Sequence, residues 1–227
     1  MELSNLRLKA IADMVKDKPI RMADIGCDHA WLSIYMVENK IASYAYACEV
    51  NQGPLDNANE NITKYHLNDQ IETVLSNGLD KLNPNDFDSV FIAGMGGTLM
   101  SEILENDLDK LVNKRLYLQP NVNAYGLRKF LLNHHFVIED ESLVKDNGII
   151  YEIIQAKQEE GCVKEDYSLL EEHFGKYNLQ RRSDLLKELL QEQLSKIDRM
   201  LQSLPKDMPK RQEVLAFQTL ILDYLKD

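Results

Sequence analysis

The chain has 227 residues, with 26 Lys and Arg against 37 Asp and Glu, for a formal net charge of −11. That length suits one full domain plus an appendage, and a hydrophobic fraction of 44% excludes a disordered or fibrous chain. No apolar run approaches the ~20 residues that span a bilayer. The N-terminal MELSNLRLKAIADMV lacks the apolar core and cleavage site of a secretory leader. Cys27, Cys48 and Cys162 are too widely spaced for a disulfide framework or a CxxC metal pair. These features predict a cytoplasmic chain with no membrane partner.

Residues 3–15 place Leu3, Leu6, Ala10 and Met14 on one face of a predicted helix, which Pro19 ends. Short apolar runs that read as strands follow at 21–25, 44–50, 71–75, 89–93, 115–119, 136–138 and 149–156. Helical stretches at 30–39, 53–65, 97–111 and 123–134 separate most of them. This alternation predicts an α/β fold with a doubly wound, seven-stranded, mostly parallel sheet of Rossmann-like type. Only DESLVKDNG separates the last two strands, so they are expected to pair antiparallel. Beyond Gln155 the pattern is purely helical. Leu190, Leu194, Ile197, Leu201 and Leu204 form a heptad-like seam that Leu179 and Leu186 extend backwards. Pro205 and Pro209 bracket a turn, and Val214, Phe217, Ile221 and Tyr224 mark a second amphipathic helix. The expectation is a C-terminal coiled-coil-like helical hairpin about 40 Å long, with a homodimeric coiled coil as the alternative. Two domains are expected, 1–159 and 160–227.

In a doubly wound sheet, ligands sit beyond the carboxyl ends of the strands. The first such end carries Asp24, Gly26, Asp28 and His29. It keeps one glycine of a nucleotide-binding turn but places Asp28 where a dinucleotide site needs room for pyrophosphate. A carboxylate there repels phosphate and suits a cationic ligand such as S-adenosyl-L-methionine (SAM); capping the next helix is its structural alternative. Glu49 ends the second strand, placed to accept both ribose hydroxyls of an adenine nucleoside. Asn77-Gly78 follows the third strand, as an adenine contact or a plain turn. Gly94-Met95-Gly96-Gly97 follows the fourth and clears space for a ligand against backbone. Gln119-Pro120-Asn121 follows the fifth, and its two amides offer both donors and acceptors to a base edge. No His/Cys/Asp set has metal-ligand spacing, so no metal is expected.

The strings ADIGCDHAWL at 23–32, CEVNQGPLDNA at 48–58, NGL at 77–79, IAGMGGTLM at 92–100 and LQPN at 118–121 closely resemble the bacterial tRNA (adenine-22-N1)-methyltransferase family. The resemblance extends from LSNLRL near the N-terminus to YEII at 151–154. It implies a class I methyltransferase domain, SAM as methyl donor with S-adenosyl-L-homocysteine as product, and a C-terminal domain that helps to hold tRNA. On this reading Asp24, Gly26, Asp28, His29, Glu49, Asn77, Gly78, Gly94, Met95 and Gly96 face the cofactor, with Cys27, Val50 and Leu79 beside them. Gln119, Pro120 and Asn121 fall beside the incoming base. N1 of neutral adenine carries an in-plane lone pair, so the required work is alignment and stabilisation of charge. Asn121 or Gln119 is expected to contact the exocyclic amine. Asp28, oriented by His29, is expected to balance positive charge; a direct contact from His29 to the base is the alternative. A protein or small-molecule methyltransferase, or a non-catalytic SAM-binding module, would share the cofactor loops.

The acidity at first argues against a nucleic-acid partner. It is uneven: residues 1–159 hold 15 basic and 24 acidic side chains, net −9, whereas 160–227 hold 11 and 13, net −2. Local basic clusters stand out at Arg7, Lys9, Lys16, Lys18 and Arg21, at Arg128 and Lys129, at Arg181, Arg182 and Lys187, and at Lys206, Lys210 and Arg211. Arg7, Lys9, Arg128, Lys129, Arg181 and Arg182 are the expected tRNA contacts. No DNA and no obligatory protein partner are expected, and the chain is expected to act as a monomer.

Overall fold

The computed structural model describes residues 3–17, 19–158, 161, 165–205 and 207–226. Lys18, Cys162 and Lys206, singled out above, lie outside the described residues. The chain divides into two compact units, Met1–Asp166 and Tyr167–Asp227.

The first unit alternates helices and strands. They are α1 (Leu6–Asp13), β1 (Ile20–Ile25), α2 (Trp31–Glu38), β2 (Ala42–Glu49), α3 (Gln52–Lys64), β3 (Ile71–Leu75) and β4 (Ser89–Gly96). Then come α4 (Gly97–Asn106), β5 (Arg115–Val122), α5 (Ala124–Asn133), β6 (Phe136–Asp146) and β7 (Ile149–Gln158). The seven strands form one sheet in the order β3-β2-β1-β4-β5-β7-β6. The first five pair in parallel, and β7 runs antiparallel to both β5 and β6. Strand β1 is buried at every residue except Arg21, as a central strand covered on both faces requires. On α3, Leu55, Ala58 and Ile62 are buried, which lays one helical stripe against the sheet. Phe91 of β4 and Tyr117 of β5 stack with ring centres 4.6 Å apart. The strand order reverses between β1 and β4, so a crevice opens beyond their carboxyl ends.

Three regions differ from the sequence expectation. Strand β4 runs on to Gly96 and β5 to Val122, so the glycine-rich and Gln-Pro-Asn segments are strand ends rather than free loops. Register shifts around Met95 absorb the irregular backbone there, with Gly94 at φ +79°. Strand β6 reaches Asp146, well beyond the three residues read as strand. Its hairpin to β7 closes on Asn147-Gly148, at φ +49° and +81°, the left-handed pair that a tight two-residue turn needs. Third, α4 ends at Asn106, and Leu108–Lys110 form a separate 3-10 turn.

In the second unit, α6 (Leu169–Phe174), α7 (Lys176–Arg181), α8 (Asp184–Ser203) and α9 (Pro209–Lys226) follow one another. Ser168 and Glu171 form a capping box on α6, and the Ser183 side chain caps α8. Gln218 bonds Asp198, and Arg211 bonds the carbonyl of Leu201, so α8 and α9 run antiparallel. Leu186, Leu190, Ile197 and Ile221 are the buried positions of this pair. Leu179 lies on α7, cut off from α8 by Arg182 at φ +49°. The seam is therefore shorter than expected: the 20 residues of α8 give about 30 Å, not about 40 Å. Among the described residues no helix is long and apolar enough to cross a membrane.

Candidate functional site

A cavity of about 180 Å³ opens at the switch point, lined by residues that include Asp24, Gly26, Cys27, Asp28, His29, Trp31, Ala93, Gly94 and Gln119. Asn5, Arg7 and Leu8 bring the start of α1 to the same wall. Two chemically different sides meet here.

The β1–β2 side is acidic. Asp24 is 4% exposed and accepts a 2.7 Å bond from Ser33 Oγ. Burial pushes its carboxyl up to about 6; the Ser33 hydrogen bonds oppose the shift and the Glu49 charge adds to it. Gly26 sits at φ +71°, and a Cβ there would lie 2.0 Å from the Met95 methyl. Its N–H and that of Cys27 both donate to Cys48 O, at 2.9 and 3.0 Å. Burial pushes the Cys27 thiol far above its ordinary value, which keeps it protonated. Asp28 does not cap α2: the cap position is Ala30, at φ +58°, with no side-chain bond. The Asp28 carboxylate is instead largely exposed, 3.8 Å from His29 Nε2. Asn61 of α3 holds the His29 carbonyl at 3.1 Å, and Trp31 packs edge-on against Tyr65. Glu49 is 9% exposed, and its Oε1 accepts from the N–H groups of Val50 and Asn51, at 2.8 and 3.3 Å.

The β4–β5 side carries amides. Gln119 is 1% exposed and its Oε1 accepts from Gly94 N at 3.2 Å. Asn121 Nδ2 donates to Gly94 O at 2.6 Å, and its Oδ1 accepts from Gln119 Nε2 at 3.3 Å. That oxygen also accepts from Arg7 at 3.0 Å. Having two donors already, it is not the spare acceptor that contact with an exocyclic amine requires. Gly97 stands where the chain leaving β5 comes close: a Cβ there would lie 2.4 Å from Asn123 O.

The chain matches the family model described as tRNA (adenine(22)-N(1))-methyltransferase over residues 22–224. This methyltransferase family is the one to which the chain belongs. A curated relative, the tRNA (adenine(22)-N(1))-methyltransferase of Bacillus subtilis, is 39% identical over 152 residues. That match covers 66% of this chain and 63% of the relative's length. The structure of M. capricolum TrmK with its cofactor product S-adenosyl-homocysteine aligns at TM-score 0.86 and 30% identity, covering 99% of both chains. A Streptococcus pneumoniae structure in complex with S-adenosyl-L-methionine aligns at TM-score 0.88 and 32% identity, covering 98% of this chain and 100% of that one.

Within this family member, the structure brings Asp24, Gly26, Cys27, Asp28, His29, Gly94 and Gln119 into the lining of one cavity. Glu49, Val50, Asn77, Gly78, Met95, Gly96, Pro120 and Asn121 lie at or just beyond neighbouring strand ends, outside that lining. Leu79 is 1% exposed; its N–H donates to Asp107 and its carbonyl accepts from Lys110, so it braces the turn and offers nothing polar. Sequence reasoning missed Asp107 and Lys110, paired at 3.0 Å; nothing local ties them to a turn some 30 residues away. Arg128 is a correction. It is fully buried and paired with Glu141, at 2.6 Å, and with Glu152, so it belongs to no exposed basic patch. Arg211 likewise holds the carbonyls of Leu201 and Leu204. Lys9 and Lys129 are exposed on the first unit, and Arg181 and Arg182 on the second. Lys129 lies over the Tyr125 ring and Arg182 over the Tyr224 ring.

Proposed function

We propose that this chain transfers a methyl group from S-adenosyl-L-methionine to N1 of adenine 22 in tRNA. The observation that carries the reading is the shared cavity, with the Asp24 and Asp28 carboxylates on one side and the Gln119 amide on the other, in a member of this family. The residues suit a cationic adenosyl ligand. Gly26 at φ +71° leaves no Cβ in the turn, Asp28 offers a solvent-facing carboxylate, and Glu49 is oriented by Val50 and Asn51. Asp28 would attract the positive end of the ligand, and Glu49 would accept ribose hydroxyls through the oxygen left to it. When bound, S-adenosyl-L-methionine supplies an electrophilic methyl group and leaves as S-adenosyl-L-homocysteine.

The target nitrogen has its own lone pair, so no residue has to remove a proton before transfer. Gln119, Pro120 and Asn121 would seat the base against Gly94 and fix the line of attack. Positive charge grows on the ring as the bond forms, and Asp28 with His29 would offset it from the mouth of the site. N1 lies on the pairing edge, so the base must swing out of its helix to enter. We assign tRNA binding to Lys9, Lys129, Arg181 and Arg182, with Tyr167–Asp227 as the gripping unit, and place the reaction in the cytoplasm without a protein partner.

The test is methyl transfer from labelled S-adenosyl-L-methionine to unmodified bacterial tRNA, followed by nucleoside mass spectrometry. N1-methyladenosine that disappears when adenine 22 is changed to guanine supports the reading. Label confined to another nucleoside, or none on tRNA, overturns it.

A further inference from the structure

Arg7 joins elements that lie far apart in sequence. Its Nε donates to Asp146 Oδ2 at 3.3 Å, and its Nη1 donates to Asn121 Oδ1 at 3.0 Å. The guanidinium carbon lies 4.7 Å from the centre of the Tyr151 ring. The side chains of Arg7 and Asp146 are 23% and 11% exposed, so this is a sheltered contact. A guanidinium only donates, whereas a carboxamide donates at one end and accepts at the other. Facing Arg7, Asn121 must therefore present its oxygen, which leaves its nitrogen to the Gly94 carbonyl. The same oxygen takes Gln119 Nε2, which turns the Gln119 oxygen to the Gly94 N–H. Reversing Asn121 would set donor against donor. One charged side chain thus fixes the facing of both amides. The pair's spare capacity is then an N–H on each amide nitrogen and one lone pair on Gln119.

We propose that Arg7, held by Asp146 and Tyr151, is a positioning residue that presets this amide pair as hydrogen-bond donors for ring nitrogens of the target purine other than N1, whose lone pair stays free to attack. The proposal rests on the methyl-transfer reading above and gives Arg7 a role other than neutralising a tRNA phosphate. Arg7→Gln, which can face either way, and Arg7→Ala should lower kcat roughly 10- to 100-fold while KM for tRNA moves less than about threefold. Arg7→Lys, still donor-only, should recover most of that loss, and Asp146→Asn should shift kcat in the same direction as Arg7→Gln. A raised KM with kcat intact, and a salt slope smaller by about one, would make Arg7 a phosphate ligand and overturn the proposal. Side-chain amide signals in 15N NMR spectra test the clamp without any substrate. The Asn121 and Gln119 pairs should shift in Arg7→Gln and return in Arg7→Lys. Unchanged spectra would overturn the clamp even in a chain that methylates tRNA. Absence of methyl transfer by the unaltered chain would instead remove the functional reading and leave the spectra to decide the clamp.

Discussion

The two sides of the cleft are built by different means. On the acidic side the carboxylates are held by close sequence neighbours, Asp24 by Ser33 and Glu49 by Val50 and Asn51, and only Gly26 reaches further, to Cys48 on the adjoining strand. On the amide side the holding groups come from distant segments: Gln119 and Asn121 meet Gly94, Arg7 and, through it, Asp146. A charged ligand needs charges that a short motif can carry. A neutral base needs directed donors and acceptors, and those are fixed only by a network that the whole fold assembles. The acidic side can therefore be altered one residue at a time, whereas the amide side answers to changes on the far hairpin.

The largest expected effect lies under the amide side. Arg128 ties α5 to both strands of the hairpin that carries Asp146 and Tyr151. Arg128→Ala leaves Glu141 buried and without this partner, and should cost roughly 3–5 kcal/mol of stability, read from denaturant unfolding. A loss below about 1 kcal/mol would mean that the hairpin is held by other contacts. Next comes Asp24. Its folded value of about 6 lies above the ordinary 3.8, so the folded chain binds more protons between those values. Stability is lost as pH rises from 3.8 towards 6, and the full penalty is present above that window. Asp24→Asn should then gain roughly 3 kcal/mol at neutral pH, an advantage that fades on acidification through the window. An equal difference between the two melting curves at every pH would contradict this assignment. A smaller effect is expected at Asp107, which meets the Leu79 N–H from across the turn. Asp107→Ala should cost about 1–3 kcal/mol by leaving that buried donor unpaired, and hydrogen exchange at Leu79 should quicken; unchanged exchange would place the restraint elsewhere.

The same contrast explains what could be read before folding. ADIGCDHA and CEV announce the acidic side because the charged groups stand together in short strings, with Ser33 nine residues from Asp24 and Val50 and Asn51 directly after Glu49. The amides at 119 and 121 were visible, but Gly94 and Pro120 looked like loop residues; a bulged strand pair accommodates both. Arg128 looked like a surface cation because its carboxylate partners lie 13 and 24 residues further on. Glu152 stands on a strand the sequence did show, but Glu141 lies on the part of β6 beyond residue 138 whose mixed polarity hid it. Asn147-Gly148 carried the turn signal that fixes this hairpin, and it was the available clue to the length of β6. The start of α1 gave no sign that Arg7 would reach the site, since only the tertiary fold brings it to Asn121.

The division of labour itself can be measured in one experiment on two variants, Glu49→Gln and Asn121→Ala, by determining the SAM dissociation constant and kcat at saturating SAM for each. A crossed result is expected. Glu49→Gln weakens SAM binding roughly tenfold with kcat nearly intact, and Asn121→Ala lowers kcat by a similar factor with SAM binding unchanged. Parallel losses of both quantities in both variants would contradict it.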